Sequence, residues 1–172
     1  MNPRPLESGD RDAVLERYRE ALWRLTAGYA RTRQDREDLY QDVAVAVWQA
    51  LTRFRGECSE RTFVYRVAHN RGISYRARLL RRQTLPLEEA GAPAAPTPSP
   101  ETASIEQDQL ARLRAAVRAL PVNYREVVLL RLEGLSTRDI AEIVGISENN
   151  VDVRLARART KLRDRMNPSN SA

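Results

Sequence analysis

The 172-residue chain has little that could carry redox, metal or covalent chemistry. Its single cysteine, Cys58, excludes a disulfide within the chain. Together with the single histidine, His69, it cannot supply the four ligands of a Cys/His zinc site. No P-loop can be read along the chain. No Ser/His/Asp set and no pair of carboxylates placed for acid–base work can be read along it, so no cofactor and no catalysis are expected. A redox-sensing role for Cys58 is the weaker reading, because a lone thiol usually has no special role. No apolar run reaches the roughly 18 residues of a membrane span, and no charged-then-apolar leader opens the chain. The expectation is a cytoplasmic protein with no direct membrane insertion. Lysine is almost missing as well: Lys161 stands alone beside the arginines.

What the chain does have is arginine, and its charge is unevenly placed. The formal net charge is +6. Residues 1–83 carry 17 basic and 11 acidic groups, and residues 107–172 carry 12 and 8. Between them, residues 84–106 hold four acids and no base. The guanidinium fork suits phosphates and base edges, so two basic blocks around an acidic connector point towards nucleic acid. The stretch from Thr84 to Pro100 contains five prolines, which rules out a regular helix or an inner strand there. The chain therefore reads as two domains, 10–83 and 104–166, joined by a flexible linker at 84–103. Residues 1–9 and 167–172 read as tails.

Both blocks read as helical. Val14, Leu15, Tyr18, Leu22, Leu25 and Tyr29 recur at three- and four-residue steps. A second helix fits Asp35 to Thr52, with Leu39, Val43, Val47 and Leu51 spaced by four and Asp35 as its N-cap. Phe54 to Cys58 breaks the pattern, and a third helix follows from Ser59 to Arg82. In the second block, Leu110, Leu113, Val117 and Leu120 form a narrow apolar stripe stopped by Pro121, which opens the next helix as its first turn. That helix runs to Leu132 and stops at Gly134. Ser136 caps a short helix, Gly145 makes a turn, and Ser147 caps a last helix with Val151, Leu155, Ala158 and Leu162 facing inward.

The two helices from Thr137 to Arg165 have the marks of a helix-turn-helix: Ala141 where the helices touch, Gly145 at the turn, and Val151 on the packing face. With the apolar stripe inward, about 100° per residue turns Asn149, Val153, Ala156, Arg157 and Thr160 outward, with Asn150 and Asp152 on the flanks. Asn, Arg and small apolar groups are the types that read base edges. Arg154, Arg159, Lys161 and Arg163 fall where phosphates or solvent would meet them. The third helix mixes rings with bases: Phe63, Tyr65, Arg66, His69, Asn70, Arg71 and Tyr75. Such interleaving suits single-stranded DNA, whereas Phe63 and Val67 also read as core. A lone His69 reads as a surface or hydrogen-bonding residue.

In their order, these stretches resemble the extracytoplasmic-function, or group IV, sigma factors of bacterial RNA polymerase. Glu37 to Asp42 followed by Trp48 is similar to the family's helix that docks on the β′ clamp helices. Phe54-Arg55-Gly56 and Phe63 to Asn70 are similar to the loop and helix that open the −10 element. Leu120-Pro121, Leu129 to Leu132, Gly134 to Ser136, Asp139 to Ala141 and Ala156 to Arg159 are similar to region 4, which reads the −35 element. The resemblance covers about residues 12–166. It implies an all-α chain with a three-helix region 2 and a helix-turn-helix region 4.

The resemblance further implies contacts to core polymerase from Asp38, Leu39, Gln41, Asp42, Val45, Trp48 and Gln49. It places Phe54, Val67 and Asn70 at a pocket for a flipped −10 base, with Arg61, Arg66, Arg71 and Arg78 along the strand. Asn149, Asn150, Asp152, Val153, Ala156, Arg157 and Thr160 would meet the −35 duplex. The partners it implies are core RNA polymerase through β′ and β, promoter DNA and an anti-sigma factor, with the free chain a monomer. Four positions depart from the family's usual pattern: Phe63 for Trp, Ser74 for Asp, Asn150 for Thr, and Asp152 for Lys or Arg. A helix-turn-helix regulator that is not a sigma factor is the rival reading. The Asp38–Asp42 and Phe54–Asn70 segments weigh against it, because a sensor domain has no need of them. A degenerate sigma that only sequesters its partners is a second rival, with Asp152 and Ser74 as its support.

Overall fold

The computed structural model describes residues 7–84 and 105–166, and every regular element among them is a helix. The proline-rich connector lies outside the described residues. The first helical group is α1 (Ser8–Thr26), α2 (Arg33–Leu51) and α3 (Glu60–Thr84). The second is α4 (Ile105–Arg118), α5 (Val122–Leu132), α6 (Thr137–Val144) and α7 (Glu148–Met166). Helix α1 already begins at Ser8, so residues 8 and 9 are helix rather than tail.

In the first group, the four-residue spacing of α2 puts Leu39, Val43, Val47 and Leu51 on one buried face. Full burial of each is worth about 1.5–3 kcal/mol, and together they seat α2 against α1 and α3. The N-cap of α2 is Thr32, not Asp35. The Thr32 hydroxyl accepts from the Asp35 N–H at 3.0 Å, and the Asp35 carboxylate accepts from the Thr32 N–H at 3.0 Å. A reciprocal box satisfies two end donors where a lone Asp35 cap would satisfy one. Arg36 ties α2 to α1: its guanidinium lies 3.9 Å over the Trp23 ring and donates to the Trp23 carbonyl at 2.8 Å.

In the second group the punctuation holds. Ser136 caps α6 by accepting from the Asp139 N–H, and the Ser147 hydroxyl accepts from the Asn150 N–H at 3.2 Å to open α7. Between them, Gly145 takes φ 76°, a left-handed conformation that strains any residue with a Cβ. Pro121 is the N-cap of α5 rather than part of its first turn. The apolar stripe of α4 is only half buried. Val117 and Leu120 are core, but Leu110 and Leu113 stay 45 % and 40 % exposed, because the helix meets α5 and α7 at its C-terminal end. Val151 and Ala158 of α7 are fully buried, with Leu155 and Leu162 packed beside them.

The two groups meet. Helix α3 packs on α6, and the buried apolar residues form one cluster running through both groups. At Gly28, just past α1, the Leu129 side chain of α5 sits so close that a Cβ would overlap it. Beside this contact Arg125 is buried and donates to the carbonyls of Arg118, Leu120 and Gly28. Burial lowers its pKa to about 10, which leaves it charged at neutral pH.

Candidate nucleic-acid interface

Three surfaces carry the residues singled out from the sequence. The first is a cleft where the loop after α2 meets the N-terminal half of α3. It is lined by Arg53, Phe54, Arg55, Glu57, Cys58, Phe63, Arg66 and Glu142 and holds about 240 Å³. The Phe54 and Phe63 rings lie 4.9 Å apart at 48°, giving an aromatic wall ringed by three guanidinium groups. Such a combination can stack a base and attract its phosphates. The Nε of Arg66 is buried without a hydrogen-bond partner, while its Nη2 donates to Glu142. Burial pushes the Cys58 thiol up, which keeps it protonated and unreactive at neutral pH.

The helical repeat continues this surface along α3, with Phe63, Val67 and Asn70 on one ridge. Val67 is half-buried against the core, and Asn70 and Arg71 are exposed. Arg61 is exposed and donates to the Glu133 carbonyl, with its guanidinium 5.8 Å from the Tyr65 ring. Arg78 stands apart from the cleft and pairs with Asp42 at 3.3 Å. Ser74 is exposed. His69 is buried rather than on the surface: Tyr29 Oη lies 3.0 Å from its Nδ1, and Glu126 lies 3.7 Å from its Nε2. Burial lowers its pKa to about 4, so the ring is neutral at pH 7. A neutral ring with its proton on Nε2 serves both neighbours, accepting from the tyrosine and facing the carboxylate.

The second surface is the outer side of α2. Asp38, Gln41, Asp42, Val45 and Gln49 are exposed along one stripe. Val45 is 56 % exposed in the middle of this polar row, an apolar knob that suits contact with another protein. Leu39 is not part of the stripe. At 1 % exposure it faces the core, so its contribution is to hold the helix rather than to touch a partner. Trp48 is half-buried and fixed by α1: its Nε1 donates to Asp12 at 2.9 Å, and the Arg11 guanidinium lies 3.7 Å over its ring.

The third surface is α7. Asn149, Asn150, Asp152, Val153, Ala156, Arg157 and Thr160 are all exposed. Asp152 is also tied back to the start of α6, accepting from Thr137 Oγ1 at 3.3 Å, while that oxygen accepts from Arg131 at 2.6 Å. Arg154, expected to face phosphate or solvent, turns inward and pairs with Glu126 at 2.7 Å. Lys161 lies 5.9 Å over the Tyr124 ring. Sequence reasoning missed Arg24, Glu133 and Glu142, which pair across the two helical groups. Local periodicity carries no signal for pairs so far apart in the chain.

The family description "Sigma-70 region 2" matches residues 14–83, and "Sigma-70, region 4" matches residues 110–162. The ECF RNA polymerase sigma factor SigM of Mycobacterium tuberculosis is 31 % identical over 158 residues, covering 90 % of this chain and 78 % of SigM. CnrH of Cupriavidus metallidurans is 31 % identical over 87 % of this chain and 82 % of its own length. The fold is that of solved sigma factors. CnrH, solved in complex with the cytosolic domain of CnrY, superposes with a TM-score of 0.68 at 23 % identity, over 95 % of this chain and 92 % of CnrH. RpoE of Bartonella quintana, solved with the anti-sigma factor NepR, superposes with a TM-score of 0.71 at 20 % identity, over 92 % of this chain and 98 % of RpoE. Both regions in order, and relatives matched over most of their length, place the chain in one family: it belongs to the extracytoplasmic-function sigma factors, which direct RNA polymerase to promoters.

Proposed function

We propose that the three surfaces divide the work of promoter-directed initiation among them. The outer stripe of α2, with Asp38, Gln41, Asp42, Val45 and Gln49 around the pinned Trp48, docks on the β′ clamp helices of core polymerase. The second helical group is carried on the β side. The cleft at Phe54, continued by Val67 and Asn70, receives a base flipped out of the −10 element. Unstacking that base costs a few kcal/mol, which the pocket must offset by holding it. Arg61, Arg66 and Arg71 follow the strand. Arg78, paired with Asp42, lies nearer the polymerase face. On α7, Asn149, Asn150, Val153, Ala156, Arg157 and Thr160 read the −35 duplex. Asp152 stands on that face as an acceptor held by Thr137.

The observation that carries this reading is the Phe54–Phe63 wall with arginines at its rim. It is a place for an unpaired base rather than for a duplex. The domain division at 10–83 and 104–166 belongs to the same reading. The chain acts in the cytoplasm and performs no catalysis of its own. An anti-sigma factor restrains it, a reading supported by the partners in the solved CnrH and RpoE complexes.

The test uses two variants with purified core polymerase. Gln41→Ala with Asp42→Arg should weaken core binding in a direct titration. Phe54→Ala with Asn70→Ala should keep core binding and lose open-complex formation, seen by permanganate reactivity of the −10 thymines. Unchanged core affinity in the first variant would remove the α2 assignment. Full melting by the second would remove the pocket.

A further inference from the structure

Apart from Arg125, which donates to the Gly28 carbonyl, the hydrogen bonds between the two helical groups gather on one strip, and there they have one polarity. The second group supplies acceptors. The Glu133 carboxylate receives Arg24 through Nε at 3.1 Å and Nη2 at 2.8 Å, and also the Tyr65 hydroxyl at 3.1 Å. The Glu133 carbonyl receives Arg61. Asp139 Oδ1 receives the Thr62 hydroxyl at 3.1 Å, and Glu142 receives Arg66. Every donor comes from α1 or from the N-terminal half of α3.

The strip is unusual for its group. Residues 107–172 are net basic, yet Glu133, Asp139 and Glu142 concentrate three of their eight acids on one edge. Glu133 is buried by this contact, its side chain only 8 % exposed. Glu142 lines the cleft of Phe54 and Phe63 itself. Beneath the strip, Leu129 seats on Gly28, and His69 lies between Tyr29 and Glu126. A row of carboxylates on guanidinium and hydroxyl donors is the arrangement that a strand's phosphates would make there.

We infer that the α5–α6 edge is a built-in stand-in for DNA phosphates, which closes the −10 surface of this chain until the two helical groups separate. This rests on the assignment of the α3 face to the −10 strand. Arg61 and Arg66 cannot serve Glu133 and Glu142 and a DNA strand at the same time, and Glu142 occupies one wall of the cleft. The recognition face of α7 takes no part in the contact, so the chain masks one promoter-reading surface and leaves the other open.

The experiment uses the full chain and a fluorescein-labelled, mixed-sequence single-stranded 15-mer. Glu133→Gln with Glu142→Gln removes the acceptor charges with little change of shape. Gly28→Val keeps every charge and forces Leu129 away. A control, Glu16→Gln with Asp164→Asn, makes the same change in net charge away from the strip. Both test variants should show a larger radius of gyration than wild type by small-angle X-ray scattering, and at least fivefold tighter oligonucleotide binding by anisotropy. The control should show neither.

Test variants as compact as wild type would overturn the closure, whatever their DNA affinity. Expansion without tighter binding would overturn the masking. If Phe54→Ala with Asn70→Ala also melted promoters normally, the −10 assignment would fall with it. If that variant failed to melt them, the assignment would stand and the masking alone would be wrong. Tighter binding by the control equal to that of the test variants would reduce the effect to net charge and overturn the inference.

Discussion

The two helices proposed to face DNA stand in opposite conditions. On α7 all seven residues assigned to the −35 duplex are exposed. On α3 the two arginines nearest the cleft are engaged by α5 and α6. Both helices are basic, and both lie in groups with a net positive charge. What separates them is where the acids sit. Three of the second group's eight acids, Glu133, Asp139 and Glu142, engage donors of α3, whereas Asp152 on α7 is held by Thr137 within its own group. Net charge by domain does not show this difference; the face that each acid occupies does.

Substitution tests this contrast, and the largest effect should come from the shared core. Leu130 is fully buried in α5, within the cluster that runs through both groups. Leu130→Ala should cost about 2–5 kcal/mol and lower a single thermal transition of the full chain. Two separate transitions, with only one displaced, would mean that the groups do not unfold as one body.

Acid should act on the covered side through His69. His69 is held neutral, its pKa lowered by burial from 6.5 to about 4, beside Tyr29, Glu126 and the Arg154 that pairs with Glu126. As pH falls from 6.5, the unfolded chain takes up a proton that the folded chain refuses. Stability is therefore full above about pH 6.5 and declines towards pH 4, by up to about 3 kcal/mol. Burial raises the pKa of Glu126, which works the other way and offsets part of the loss at the acid end. Melting curves between pH 8 and 5 should show the decline, and His69→Gln should flatten it. An equal slope in the variant would place the titration elsewhere.

On the open side, Arg157→Ala should lower promoter use by about 1–3 kcal/mol of binding, roughly tenfold, with core binding unchanged. Because α7 is already free, the same loss should appear in the Glu133→Gln, Glu142→Gln background. Additivity within about 0.5 kcal/mol is expected for sites that share no partner. A smaller loss in that background would mean that the two surfaces are coupled. The smallest effect should be that of Ser136→Ala, which removes the cap of α6 at about 1 kcal/mol. It should lower stability and leave the covered face covered, as read by the radius of gyration.

Much of this architecture is legible in the sequence because it is local. Ser136, Gly145 and Ser147 announce the helix-turn-helix, and the four-residue spacing from Leu39 to Leu51 announces α2. The sequence misleads where a neighbour decides. Thr32 outbids Asp35 for the cap because the two residues serve each other. Leu110 and Leu113 match an apolar stripe, but no helix covers that end of α4 among the described residues. Leu39 lies within the docking motif yet faces inward. Arg154 looks like a phosphate contact until Glu126, 28 residues earlier, claims it. The strip of Glu133, Asp139 and Glu142 is the clearest case, since its partners lie 68 to 109 residues away and no periodicity joins them.

The most direct measurement is run-off transcription with purified core RNA polymerase and a library of genomic fragments, with the transcript starts sequenced. The account predicts discrete starts that depend on this protein. Each should be preceded by two short shared elements, and Arg157→Ala should weaken use of the upstream one. No starts while the chain still binds core polymerase would contradict it and leave a chain that only sequesters its partners.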